Sequence, residues 1–172
     1  MKISSEFRDR VRRYRRESTD STHSVHLNRV VTTAIDGFYG KAKARRFEFF
    51  SDEPSEGGGE NQAPRPLEYF LAGFAFCQQA QYAKHAALRD LDISGLRMDV
   101  KGYVDQRGIL GVDEVAAGFQ RIDYTVSIET TETVQAIAEL MTTVEAVCPA
   151  HAALKGSTPL NRALVVNGTR VP

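Results

Sequence analysis

The stretch Pro66-Leu-Glu-Tyr-Phe-Leu-Ala-Gly-Phe-Ala-Phe-Cys77 decides how the chain is read. Pro66 suits the first helical position, where its missing N–H is no loss, and Glu68 falls in the first turn, where the helix dipole favours a carboxylate. Beyond them Leu67, Phe70, Leu71, Phe74, Cys77 and Ala80 recur at intervals of three and four, while Tyr69 and Phe76 widen the apolar surface past a single stripe. The pattern predicts a helix from residue 66 to about residue 88, covered on most sides, with Cys77 buried beside aromatic rings.

Upstream, residues 23–50 alternate and are β-branched in places (Val25, Leu27, Val30, Val31, then Arg46-Phe-Glu-Phe-Phe50), with Asp36-Gly37 and Gly40 as turn signals. Two or three antiparallel strands are expected there. Residues 51–63 form an acidic, glycine-rich loop; its three consecutive glycines lack the lysine-serine of a phosphate cradle, and its charge has the wrong sign for one. Downstream, residues 93–104 place Leu96, Met98, Val100, Gly102 and Val104 on one face, and residues 121–129 do the same with Ile122, Tyr124, Val126 and Ile128. These read as neighbouring antiparallel strands. A second helix is expected over residues 131–147, a short one over 149–154 and a last strand near 163–166. The order describes an α+β fold, antiparallel sheets with a long central helix packed on them, in a single domain over residues 1–172.

The 172 residues are 42% hydrophobic and 26% charged, with 22 basic against 22 acidic side chains and no net formal charge. Such a balance argues against a general nucleic-acid binder. The one conspicuous cluster, residues 8–16, sets six arginines against one aspartate. Without an aromatic platform or a second basic patch it reads as a solvated arm or helix face, part of a basic N-terminal arm over residues 1–22. The start has no apolar leader, and the longest apolar run, residues 70–77, is too short to span a bilayer. A cytoplasmic protein with no membrane partner is expected, and in that reducing setting two cysteines are working thiols or inert core rather than a permanent bridge.

Cys148 directly precedes Pro149 and a helix-compatible stretch, which places it at an N-cap, facing the unsatisfied amides of a first turn. That position is expected to favour its thiolate. His151 lies three residues on, but with His23, His26 and His85 scattered there is no paired metal-ligand spacing, and neither a metal nor another cofactor is expected. If Cys77 and Cys148 meet, a thiolate can attack a peroxide oxygen and the resulting sulfenic acid can condense with the second thiol. Lowering a thiol from about 8.5 to about 6 raises the thiolate fraction at neutral pH about thirtyfold but cuts nucleophilicity about tenfold. Most rate must then come from a cation near the departing oxygen, and a guanidinium suits that position. The candidates are Arg45 and Arg46, of which only one can face the site if both lie in a strand. Rings at Phe70, Phe74 and Phe76 would suit an alkyl or aryl hydroperoxide.

Pro66-x-Glu68-Tyr-x-Leu71-Ala72 with Cys77, preceded by Asp52-Glu-Pro and Gly-Gly and followed late by Val147-Cys-Pro149, resembles the OsmC/Ohr superfamily of osmotically inducible and organic hydroperoxide resistance proteins, in its OsmC-like branch. The resemblance spans roughly residues 30–166. It implies a homodimer of intertwined subunits with active sites at the interface, reducing small organic hydroperoxides at the expense of a dithiol such as a lipoyl compound. Carried over by residue, Cys77 matches the attacking cysteine, Cys148 the resolving one, Arg46 the activating arginine, and Glu68 the carboxylate that pairs with it. Two departures stand out: Leu67 separates Glu68 from the proline, and nine residues at about 100° each put Glu68 across an ideal helix from Cys77, unless Gly73 bends it. The alternative is a non-catalytic dimer of the same fold that binds a small hydrophobic ligand in its interface pocket.

Overall fold

The computed structural model describes residues 1, 3–19, 25–112, 114–156 and 160–171; His23 lies outside them. Two compact units emerge, one of residues 1–20 and 73–172 and one of residues 21–72.

In the second unit three strands, β1 (Val31–Asp36), β2 (Tyr39–Ala44) and β3 (Phe47–Ser51), form an antiparallel meander. Gly37 (φ 49°) takes the left-handed conformation that the first hairpin needs. The second hairpin turns at Arg45 and Arg46, with Ala44 opposite Phe47 and Arg45 itself at φ 57°. The two arginines are therefore turn residues rather than strand residues, and the alternation rule does not separate them. Both guanidinium groups lie over the Phe47 ring, at 5.2 and 5.1 Å from its centroid.

The loop after β3 is organised by one buried carboxylate. Asp52 accepts hydrogen bonds from the backbone amides of Glu53 (2.8 Å), Glu60 (3.1 Å) and Gln62 (3.1 Å). These amides, that of Gln62 first, hold its carboxyl below the ordinary carboxylate range against the opposing effect of burial. Gly59 lets the loop close, since a Cβ there would stand 2.0 Å from the Glu53 carbonyl oxygen. Helix α2 (Pro66–Leu88) then begins, its first turns in the second unit. Tyr69 ties them to β3, its hydroxyl donating to the Phe50 carbonyl at 2.6 Å and its ring meeting Phe49.

In the first unit, strands β4 (Ile93–Tyr103), β5 (Arg121–Thr130), β6 (Leu160–Val166) and β7 (Thr169–Val171) pair in that order. β4–β5 is antiparallel as expected, but β5–β6 is parallel. The chain crosses from β5 to β6 through α4 (Val134–Val147, capped by Thr133) and α5 (Pro149–Lys155), the type of connection a parallel pair requires. β7 returns through Asn167-Gly168, both at positive φ. A five-residue helix, α3 (Gln106–Leu110), interrupts the path from β4 to β5.

Core positions follow simple periods. β5 buries Ile122, Tyr124, Val126 and Ile128 at every second residue, and α4 buries Ile137, Leu140, Met141 and Val144 at three- and four-residue steps. α2 contributes Phe74, Gln78, Tyr82 and Ala86 at steps of four. The Phe74 ring meets Tyr124 edge-on at 5.3 Å. Residues 5–19 of the basic arm form helix α1 (Ser5–Thr19), held to the rest of its unit by Arg8 on the Leu91 carbonyl and on Asp92, and by Arg12 on Asp90. Among the described residues, no helix is long and apolar enough to cross a membrane.

Candidate functional site

Cys77 and Cys148 face each other. Cys77 lies at mid-helix in α2, three residues after buried Phe74. Cys148 closes α4 and opens α5, with φ −80° and ψ 115°, because Pro149 disfavours a helical conformation in the residue before it. Both thiols are free, and their sulfurs are 3.5 Å apart, with Cys148 Sγ donating to Cys77 Sγ. A bond needs about 2.05 Å, so oxidation requires an approach of roughly 1.5 Å. Cys148 is wholly buried, whereas Cys77 is partly exposed.

The position of Cys148 at the start of α5 does not make it the thiolate. Its sulfur makes no capping hydrogen bond, and burial pushes its pKa above the ordinary value, helped by the adjacent Cys77. The amides of His151 and Ala150 pull the other way without prevailing. The expectation of a thiolate at Cys148 is thus overturned, because the dipole of one short helix is outweighed by desolvation. Cys148 is a buried thiol held toward its protonated form, and Cys77 is the more exposed of the two.

Around the pair the core is unusually polar. Gln78, fully buried and following Cys77 in α2, and the Tyr82 hydroxyl have side-chain polar atoms with no hydrogen bond within geometric limits among the described residues. Tyr124 donates to Glu145 Oε1 at 2.8 Å, and Arg162 bonds the other Glu145 oxygen. Burial, first of all, raises the pKa of both tyrosines, so both stay neutral hydroxyls. None of these five residues was singled out from the sequence as a site residue; for Gln78 and Tyr82 the four-residue step from Phe74 was the available signal, since it puts two polar groups on the most apolar face of the helix.

The remaining candidates are distributed as follows. Phe74 is 2% exposed, Phe76 is 68% exposed, and Phe70, in the second unit, is 46% exposed. Glu68 accepts the Arg65 backbone amide at 3.0 Å and so caps the start of α2. α2 is one continuous helix through Gly73. The arginine–carboxylate pair at the head of α2 is Arg65 with Glu53, 3.2 Å apart, rather than Arg46 with Glu68. Arg46 is exposed in its turn.

A family model described as OsmC-like protein matches residues 58–162 of the chain. The fold is similar to the crystal structure of an OsmC-like protein from Mycoplasma pneumoniae, at 22% identity and a TM-score of 0.73, covering 82% of this chain and 97% of that one. It is also similar to an organic hydroperoxide resistance protein OsmC from Legionella pneumophila (21% identity, TM-score 0.62, 83% and 100% covered). A third similar structure is the organic hydroperoxide resistance protein OhrB of Bacillus subtilis (21% identity, TM-score 0.54, 83% and 100% covered). Among curated proteins none matches the chain in sequence.

Proposed function

The chain belongs to the OsmC-like protein family, and on that premise we propose that it reduces organic hydroperoxides through Cys77 and Cys148, with a dithiol as the electron donor. The carrying observation is the 3.5 Å separation of two free sulfurs drawn from positions 71 residues apart. Cys77, as thiolate, attacks the outer oxygen of the hydroperoxide; the O–O bond breaks, the alkoxide leaves and takes a proton as the alcohol, and Cys77 becomes a sulfenic acid. The Cys148 thiol then attacks the Cys77 sulfur, its own proton leaves with the hydroxyl as water, and the disulfide forms. A dithiol reduces that disulfide by two exchange steps and is itself oxidised to a disulfide.

The cation at the departing oxygen is Arg46, carried on the β2–β3 turn by a second copy of the chain in an intertwined homodimer. Support comes from the meander, whose Val31, Ile35, Phe38, Phe47 and Phe50 are 37–59% exposed, apolar area on both faces of the sheet that a partner would cover. Buried Phe74, three residues before Cys77, gives the thiol an apolar neighbour that suits a hydrophobic substrate, and the reducing cytoplasm is the compartment that would return the thiols to their working state. Consumption of cumene hydroperoxide with dithiothreitol or dihydrolipoamide tests the reading. The wild type turns over and Cys77→Ser does not; turnover unchanged in Cys77→Ser would refute it.

A second reading rests on a different observation, an apolar cleft of about 310 Å³ in the second unit, with Phe38, Tyr39, Phe49 and Tyr69 in its walls. Binding of a small hydrophobic ligand without turnover would be recognised by a ligand retained in native mass spectra together with no peroxide consumption.

A further inference from the structure

We propose that the groove between α1 and the C-terminal part of α2 binds an amphiphilic anion, an acidic head group on an apolar tail. None of its lining residues belongs to the thiol site, and the proposal does not depend on the peroxide chemistry. The groove encloses about 470 Å³, within the usual range for a small-molecule site. α1 presents Val11, Tyr14, Arg15 and Ser18 to it, at the three- and four-residue steps that make one helix face. Lys84, His85, Leu88 and Arg89 form the opposite side.

Among the described residues that line this groove the charges are all of one sign. Three other arginines of α1 are neutralised: Arg8 and Arg12 meet Asp90 and Asp92, and Arg10 meets Glu6. Among the described residues Arg15 and Lys84 form no ion pair and no carboxylate lines the groove, and Arg89 is turned to the Thr143 hydroxyl at 2.5 Å. Beside them His85 is held below its ordinary pKa by partial burial and then by the fields of Lys84, Arg89 and Arg15, so it is neutral at pH 7. In a chain of zero net formal charge, a part-buried pocket of like charges is relieved by an anion. Val11, Tyr14 and Leu88 supply the surface for a tail, which distinguishes this chemistry from that of a bare inorganic anion.

Titration of the full-length protein with decanoate below its micelle concentration, by calorimetry and by NMR of the His85 ring protons, tests this. Decanoate should bind, and Arg15→Gln/Lys84→Gln should weaken it about tenfold, as expected for two partly exposed charge pairs. That variant should keep its peroxide turnover. Independently of any variant, binding at fixed pH should move the His85 resonances toward the protonated form, since an anion offsets Lys84, Arg89 and Arg15. Decanol and inorganic phosphate should bind far more weakly. Equal affinity in the double variant, equal binding of decanol or of inorganic phosphate, an unmoved His85, or no binding of decanoate would each overturn the proposal.

Discussion

Cys148 holds two opposing influences in one residue. It caps α5, where backbone amides favour a thiolate, and it is wholly buried, where water cannot support one. Burial prevails, and the sign of its effect on stability follows. A thiol whose pKa is raised on folding contributes stability that is complete below the ordinary thiol range of about 8–9 and lost as pH climbs through and above that range. The reduced wild type should therefore lose stability more steeply than Cys148→Ser above about pH 8.5, measured by urea denaturation across pH. In the same samples iodoacetamide at neutral pH should label Cys77 and spare Cys148, as read by peptide mass spectrometry. Preferential labelling of Cys148 would reverse the assignment of roles. Local sequence could not decide this, because Pro149 announces the helix start but nothing near residue 148 announces that it will be packed against Cys77 of α2 and closed off from water.

The elements divide by how local their causes are. α2 is legible to its ends because Pro66 opens it and its apolar spacing is sustained, and β4, β5 and α4 are legible from periods of two and of three to four residues. The parallel pairing of β6 with β5 is not, since it depends on how α4 and α5 return the chain. β7 had a local signal in Asn167-Gly168, a strong hairpin dipeptide, that the alternation of the preceding strands overshadowed. The β2–β3 turn had none: arginines seldom occupy a left-handed turn position, yet Arg45 does so at φ 57°. That conformation costs a non-glycine residue more than the flexibility of glycine costs the unfolded chain, so Arg45→Gly should stabilise the protein by about 0.5–1 kcal/mol in urea denaturation. If Arg46 activates the thiol, Arg46→Gln should lower kcat/KM about a hundredfold while Arg45→Gly leaves it intact. Equal losses in both would show that the turn acts as a unit and not through one guanidinium.

At the scale of the molecule, the fold brings two sulfurs to 3.5 Å across 71 positions of sequence and leaves them unbonded. The family resemblance in the helix Pro66–Leu88 and in Cys148-Pro149 was enough to name this pair; the buried polar groups around it, Gln78, Tyr82, Tyr124 and Glu145, became visible only when strands and helices from separate segments were packed together. The proposed peroxide reduction depends on the two thiols behaving as one redox unit. The most direct measurement is intact mass after one equivalent of cumene hydroperoxide without reductant. The wild type should lose two hydrogens, with peptide mapping linking Cys77 to Cys148, and Cys148→Ser should instead gain one oxygen on Cys77. An unchanged wild-type mass, or an oxygen retained on Cys148 with Cys77 untouched, would contradict it.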